Sequence, residues 1–306
     1  MRDTSARRRR AARLALVALT AALTLSACGD DDDDDDESGG GAASKPQRLD
    51  IEVTQEGRNK FSLSAPRSSR AGVTEITLKT PSGDETQHDA QLVRVEGNHT
   101  VDEVLRFIAA GEGAPTPDWL FAAGGVGLTK SGETGTATQQ LTPGKYFILD
   151  TGEPEGDDVK SYAEDGATAE LTVTGEAGGG ALPKGDAKVT ARDYTFTASG
   201  LKAGTNDIEF DNAGKELHHL IAFPYRKGTK LADVKKAFME EEGESSGPPP
   251  LDFEGGTGTA VLEGGTKQVA RLSLKRGKYA FVCFVSDRRG GPPHVAKGMV
   301  VEATVE

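Results

Sequence analysis

Cysteine is nearly absent from this chain, with two in 306 residues, Cys28 and Cys283. Positive charge is in deficit: 36 Lys and Arg stand against 48 Asp and Glu, a formal net charge of −12. Six Arg and one Asp of that total fall in residues 1–27, so the remainder carries −12 − 5 = −17. That balance excludes nucleic acid as an expected partner, and a protein partner is expected to offer a basic patch. The apolar run from Leu14 to Leu25 falls short of the roughly 20 residues a membrane-spanning helix needs. No Ser-His-Asp arrangement, phosphate-cradling glycine loop or pair of catalytic carboxylates stands in an identifiable context, so no enzyme is expected. Gly178-Gly179-Gly180 reads as a linker.

What is present begins with a targeting device. Arg7 to Arg10 and Arg13 form a basic region ahead of the apolar run, and residues 1–27 read as a signal peptide. Leu25-Ser26-Ala27-Cys28 resembles the bacterial lipobox. The resemblance implies cleavage before Cys28, lipidation of its thiol, and an extracytoplasmic, lipid-anchored place in the cell envelope. Residues 28–47 contain seven consecutive aspartates, Asp30 to Asp36, then Glu37 and a glycine run. Such a segment cannot bury apolar surface and reads as an extended tether. Cys283 is then a lone thiol in an oxidising compartment, a liability unless something occupies it.

The rest of the chain is duplicated. Phe61-Ser62-Leu63-Ser64 recurs as Tyr194-Thr195-Phe196-Thr197, and Leu141-Thr142-Pro143-Gly144-Lys145-Tyr146 as Leu274-Lys275-Arg276-Gly277-Lys278-Tyr279. Ala71-Gly72-Val73 likewise recurs as Ala203-Gly204-Thr205. The constant register predicts two related domains, at 48–174 and 187–306, joined by a Gly-rich linker at 175–186 that suggests relative motion. Each reads as short alternating strands between Gly- and Pro-containing turns. The fold class is therefore all-β, two tandem Greek-key sandwiches. Apolar residues at helical spacing in Val101 to Ala110 and Leu231 to Met239 predict one short flanking helix in each.

The repeats differ where chemistry can occur. Opposite Cys283 stands Asp150, and opposite His294 and Met299 stand Tyr162 and Ala167. The sequence alignment puts Gln87 opposite His218 and His88 opposite His219. Only the C-terminal copy thus holds a soft donor set: two imidazoles, a thiolate and a thioether, the set of a mononuclear blue-copper site.

Asn212-Ala213-Gly214 ahead of His218-His219, Tyr279-x-Phe281-x-Cys283, and His294-x4-Met299 together resemble the cupredoxin family of plastocyanin and azurin. The resemblance spans roughly residues 187–306 and implies one copper ion held by His218, Cys283 and His294, with Met299 as the distant axial ligand. Adjacent strand residues face opposite ways, so only one of His218 and His219 enters the site. Gly214 and Leu220 favour His218; Ile221 and Phe223 favour His219, which stays as the alternative. The sequence departs from the family in the ten residues between Cys283 and His294, where two to four are usual. That loop carries Arg288 and Arg289, and reads either as a docking place for a redox partner or small anion or, equally, as an exposed polar turn with no partner.

The leading expectation is a membrane-tethered single-copper electron carrier. A copper-handling lipoprotein without electron transfer and a non-metal interaction module are the alternatives. Multicopper oxidase chemistry needs more histidine than the five present, and the chain has no His-x-His.

Overall fold

The computed structural model describes residues 45–83, 86–111, 113–154, 160–176, 180–239 and 248–306. The expected signal peptide, Cys28 and the aspartate run lie outside the described residues. The N-terminal unit comprises β1 (Gln47–Gly57), β2 (Lys60–Ser64), β3 (Ser68–Arg70), β4 (Gly72–Lys79), β5 (Gln87–Val95), α1 (Val101–Ala109), β6 (Leu120–Lys130), β7 (Thr134–Leu141), β8 (Gly144–Leu149) and β9 (Thr168–Thr174). The C-terminal unit comprises β10 (Ala187–Arg192), β11 (Thr195–Ser199), β12 (Gly204–Asn212), β13 (Ile221–Pro224), α2 (Leu231–Met239), β14 (Thr257–Gly258), β15 (Lys267–Leu274), β16 (Gly277–Val282) and β17 (Val300–Val305). The fold of the described residues is all-β apart from these two short helices. Among the described residues, no helix is long and apolar enough to cross a membrane.

Strands such as β4 and β12 alternate buried and partly exposed residues, because each lies with one face on a sandwich core. Tyr146, Ile148, Ile76 and Leu92 lie in the first core; Phe210, Phe281, Leu272 and Cys283 lie in the second. Helix α1 starts at a capping box in which Thr100 and Glu103 satisfy each other's backbone. Its Val104 packs on Val93, Val95 and Phe147. Helix α2 seats Val234 and Phe238 on the outer face of β13 and β16, against Ile221, Ala280 and Val282.

The two units are not separate beads on a linker, and this changes the expectation of relative motion. One eight-stranded sheet runs β11-β10-β12-β15-β7-β4-β1-β2 through both. Equivalent strands β7 and β15 meet antiparallel at its centre, with Ala137 opposite Ala270. Each unit then closes its own sandwich, with β3-β9-β8-β5-β6 in the first and β14-β13-β16-β17 in the second. Further bonds cross the seam beside the shared sheet. Gln91 donates to the Val261 carbonyl at 3.2 Å and accepts from its amide at 2.7 Å. Gly124 and Glu263 add backbone bonds to Val261 and Ala122.

Candidate metal centre

Cys283 follows β16 directly and is fully buried in the second core. His218 lies just before β13, and its backbone is bridged to Leu262. His294 lies in the connection from β16 to β17, where its amide donates to the Val285 carbonyl at 2.9 Å and its carbonyl accepts from Met299. These segments, 65 and 76 residues apart in sequence for the pairs that include His218, bring three donors together. The Cys283 sulfur lies 3.7 Å from His218 Nδ1 and 3.5 Å from His294 Nδ1, and the two nitrogens are 3.0 Å apart. All three side chains are inaccessible to solvent, and the group can hold a metal ion.

The outer nitrogens decide what the inner ones can do. His218 Nε2 meets Asp193 Oδ1 at 3.0 Å, and His294 Nε2 meets Asp287 Oδ1 at 2.9 Å. With each Nε2–H donated to a carboxylate, each Nδ1 is left as a bare lone pair facing the other. Burial depresses the pKa of both imidazoles, and His218 depresses that of His294 further. Two such nitrogens 3.0 Å apart repel unless a proton or a metal ion lies between them. Bonds of about 2.0–2.3 Å to nitrogen and sulfur are compatible with the observed donor spacing.

The carboxylates are themselves fixed. Burial works against Asp193, yet the Lys215 and Glu216 amides and the His218 ring hold its pKa below the ordinary carboxylate range. Gly214 permits this approach, since a Cβ there would collide with Asp193 Oδ1 and crowd His218 Nε2. Asp287 likewise overcomes its burial by bonding Lys297, His294 and the Tyr194 hydroxyl, and its pKa is also lowered. Burial pushes the Cys283 thiol up to about 12, opposed by the backbone amides of His219 and Val285 at its sulfur. A metal ion would reverse that penalty, because coordination deprotonates the thiol outright.

Met299 is fully buried in the same apolar cluster as Cys283. His219 faces away from the three donors. Its Nε2 accepts the Phe284 amide at 2.9 Å, and burial, with repulsion from His218 and His294, drives its pKa to about 3. It is therefore a neutral acceptor that holds the residue next to Cys283. Arg288 also differs from the docking role expected of it, since its guanidinium turns inward to Glu263 and the Leu120 carbonyl. Arg289 is exposed. Neither Asp193 nor Asp287 was singled out from sequence. Asp193 had a signal, because the repeat sets Lys60 against it, one residue before the Phe61/Tyr194 match.

The first unit reproduces this frame with other side chains. Leu149 pairs with Gln91 on β5, and Val282 pairs with Ile221 on β13. With Asp150 set opposite Cys283, this register places His88 opposite His218. The sequence alignment, which set Gln87 there, is one residue off. The bonds agree: Asp150 Oδ1 accepts the amides of Asp89 and Gly152, as the Cys283 sulfur accepts those of His219 and Val285. Tyr162 and Ala163 repeat the backbone bonds of His294 and Val295. In place of two rings awaiting a cation, His88 Nδ1 bonds Asp150 Oδ2 at 2.6 Å, with both side chains fully buried. The sister site is thus filled by its own histidine–carboxylate contact.

Beside that pair, burial and then the Asp150 charge raise the Asp89 carboxyl from 3.8 to about 7. A carboxyl raised on folding stabilises the protein when protonated. Its contribution is complete below about pH 4 and is lost as pH rises towards 7. Asp89→Asn should keep the Thr151 bonds and flatten that part of the decline. Urea midpoints at pH 5 and pH 8 test this, and an equal drop in both proteins would refute the assignment.

No family model matches the chain, and no curated protein matches it. Among solved structures it is similar to a dithionite-reduced auracyanin from Roseiflexus castenholzii, at 19% identity over 44% of this chain and 100% of that one, with a TM-score of 0.27. Auracyanin B matches at 20% identity over 44% of this chain and 94% of its own, with a TM-score of 0.25. A copper nitrite reductase from Nitrosomonas europaea matches at 15% identity over 86% of this chain and 94% of its own, with a TM-score of 0.27.

Proposed function

We propose that the C-terminal unit is a cupredoxin-type centre that binds one copper ion through His218, Cys283 and His294, with Met299 as a weak fourth donor, and that the protein carries single electrons. The observation that carries this reading is the pair of imidazole Nδ1 atoms 3.0 Å apart beside a buried sulfur, each ring tied at its far side to a carboxylate. Copper supplies a one-electron couple: thiolate and thioether favour Cu(I), and imidazole serves both oxidation states. The chain's own residues orient and seal. Asp193 and Asp287 fix the rings, the amides of His219 and Val285 fix the sulfur, and the sandwich core excludes water.

The histidine inventory favours a carrier over an enzyme with further copper centres. His88 pairs with Asp150, His99 stacks on Trp119 at 3.8 Å, and His219 holds the Phe284 amide. With five histidines in all, the remaining two are those of the proposed site. The lipobox-like segment and aspartate tether support anchoring at Cys28 outside the cytoplasm, with a redox protein as partner.

The test is to add Cu(II) to residues 38–306 and record the visible spectrum, metal content and voltammogram. The expected result is one copper per chain, an intense thiolate-to-copper band and a reversible one-electron wave. A band without a reversible wave would favour copper handling. No band, with Cys283 still alkylatable after unfolding, would sink both copper readings and leave an interaction module.

A further inference from the structure

The ten residues that separate Cys283 from His294 are held by the N-terminal unit. Arg288 is the centre of that attachment. Its carbonyl accepts the Thr116 amide at 2.8 Å, and its guanidinium donates to the Leu120 and Pro117 carbonyls at 2.9 and 3.4 Å. The same group bonds Glu263, which also accepts the Ala122 amide, and lies 5.5 Å from the centre of the Phe121 ring. Its own amide donates to Glu216 at 2.8 Å. Two residues on, Gly290 takes a φ of +81° against Gly113, whose carbonyl a Cβ at 290 would strike. The Gly291 amide then donates to that carbonyl at 3.1 Å.

Immediately before Arg288 stands Asp287, which holds His294 Nε2. The peptide that joins the two residues therefore links the surface of the first unit to a ring of the donor set. A guanidinium suits this place because its planar fork reaches a carboxylate and two carbonyls at once.

We infer that Arg288 is a positioning residue for the metal centre, and that the N-terminal unit, having no soft donors of its own, serves as the brace that keeps the His294 loop closed over Cys283. The consequence for metal retention rests on the copper reading; the consequence for the loop does not. Loss of Arg288 removes several charge-assisted bonds from a loop otherwise rich in Gly and Pro, so local opening becomes more frequent. Opening exposes Cys283 in the metal-free protein and frees His294 in the loaded one.

The test compares the full chain with Arg288→Ala, Arg288→Lys and Arg289→Ala, each checked for native circular dichroism. In the metal-free protein, Cys283 alkylation by iodoacetamide should accelerate about tenfold or more in Arg288→Ala. It should accelerate less in Arg288→Lys and not at all in Arg289→Ala, whose side chain is exposed. In the copper-loaded protein reduced with ascorbate, release to a Cu(I) chelator should follow the same order, and in the Cu(II) form the thiolate-to-copper band should shift in Arg288→Ala. Alkylation rates within twofold of wild type in both Arg288 variants would overturn the brace. Should Arg288→Ala fail to fold, Arg288→Lys alone decides by the same criterion. A wild-type chain that binds no copper would defeat the copper reading, and the alkylation rates would still decide the brace.

Discussion

Cys283→Ser is expected to abolish the thiolate-to-copper absorption of the copper-loaded protein completely and to leave the C-terminal sandwich folded. The thiol is fully buried, and its sulfur is the one soft anionic donor among the three converging groups. A serine hydroxyl is nearly the same size and can accept the same two amides, so the core loses little packing. It does not ionise at neutral pH and offers no soft donor to stabilise Cu(I). The band arises from the sulfur–metal bond itself, so its loss is all-or-none. The neighbouring histidines should divide unequally. His218→Ala removes a converging nitrogen and should lose the band. His219→Ala removes only the acceptor of the Phe284 amide and should keep it, perturbed. Visible spectra and copper content of the three variants check this; a band of wild-type intensity in Cys283→Ser, or equal losses in both histidine variants, would contradict the assignment.

Asp150→Ala should be the most destabilising single change in the first unit, by about 3–5 kcal/mol. The carboxylate is fully buried, bonds His88 Nδ1 at 2.6 Å and accepts two backbone amides. Its removal strips one acceptor from three buried donors and leaves a space that Phe61 and Tyr162, packed around the His88 ring, cannot readily fill. Asp150→Asn keeps an oxygen for the amides and should lose less. Denaturant unfolding monitored by tyrosine fluorescence measures the difference. A loss below about 1 kcal/mol for Asp150→Ala would mean that the pair does not hold the site together, since even a single unmade buried hydrogen bond costs about 1–3 kcal/mol. The contrast with Cys283→Ser is instructive. One copy of the frame is completed by its own histidine–carboxylate contact, whereas the other leaves its donors facing each other for a cation to join.

The helices were legible because the apolar spacing at 101–110 and at 231–239 has a helical period. The donor types and their order were legible because soft donors are rare in this chain. The His88 alignment was not. A one-residue slip in a strand turns every side chain to the opposite face, and the string of letters around Gln87-His88-Asp89 contains nothing to forbid it. Only the pairing of Gln91 with Leu149 against Ile221 with Val282 fixes that register. The same ambiguity had left both His218 and His219 open.

The sequence by itself therefore determined the all-β class, the duplication and the residue types able to hold a soft metal, since each is written in local period or composition. The tertiary structure decided which histidine faces Cys283, which carboxylates turn the rings, and that the long loop is braced from the other unit. Those facts depend on contacts such as Arg288 with Leu120 and Gln91 with Val261, 168 and 170 residues apart. Hydrogen bonds at that separation form only after the strands have paired, and they leave no periodic trace in the chain that makes them.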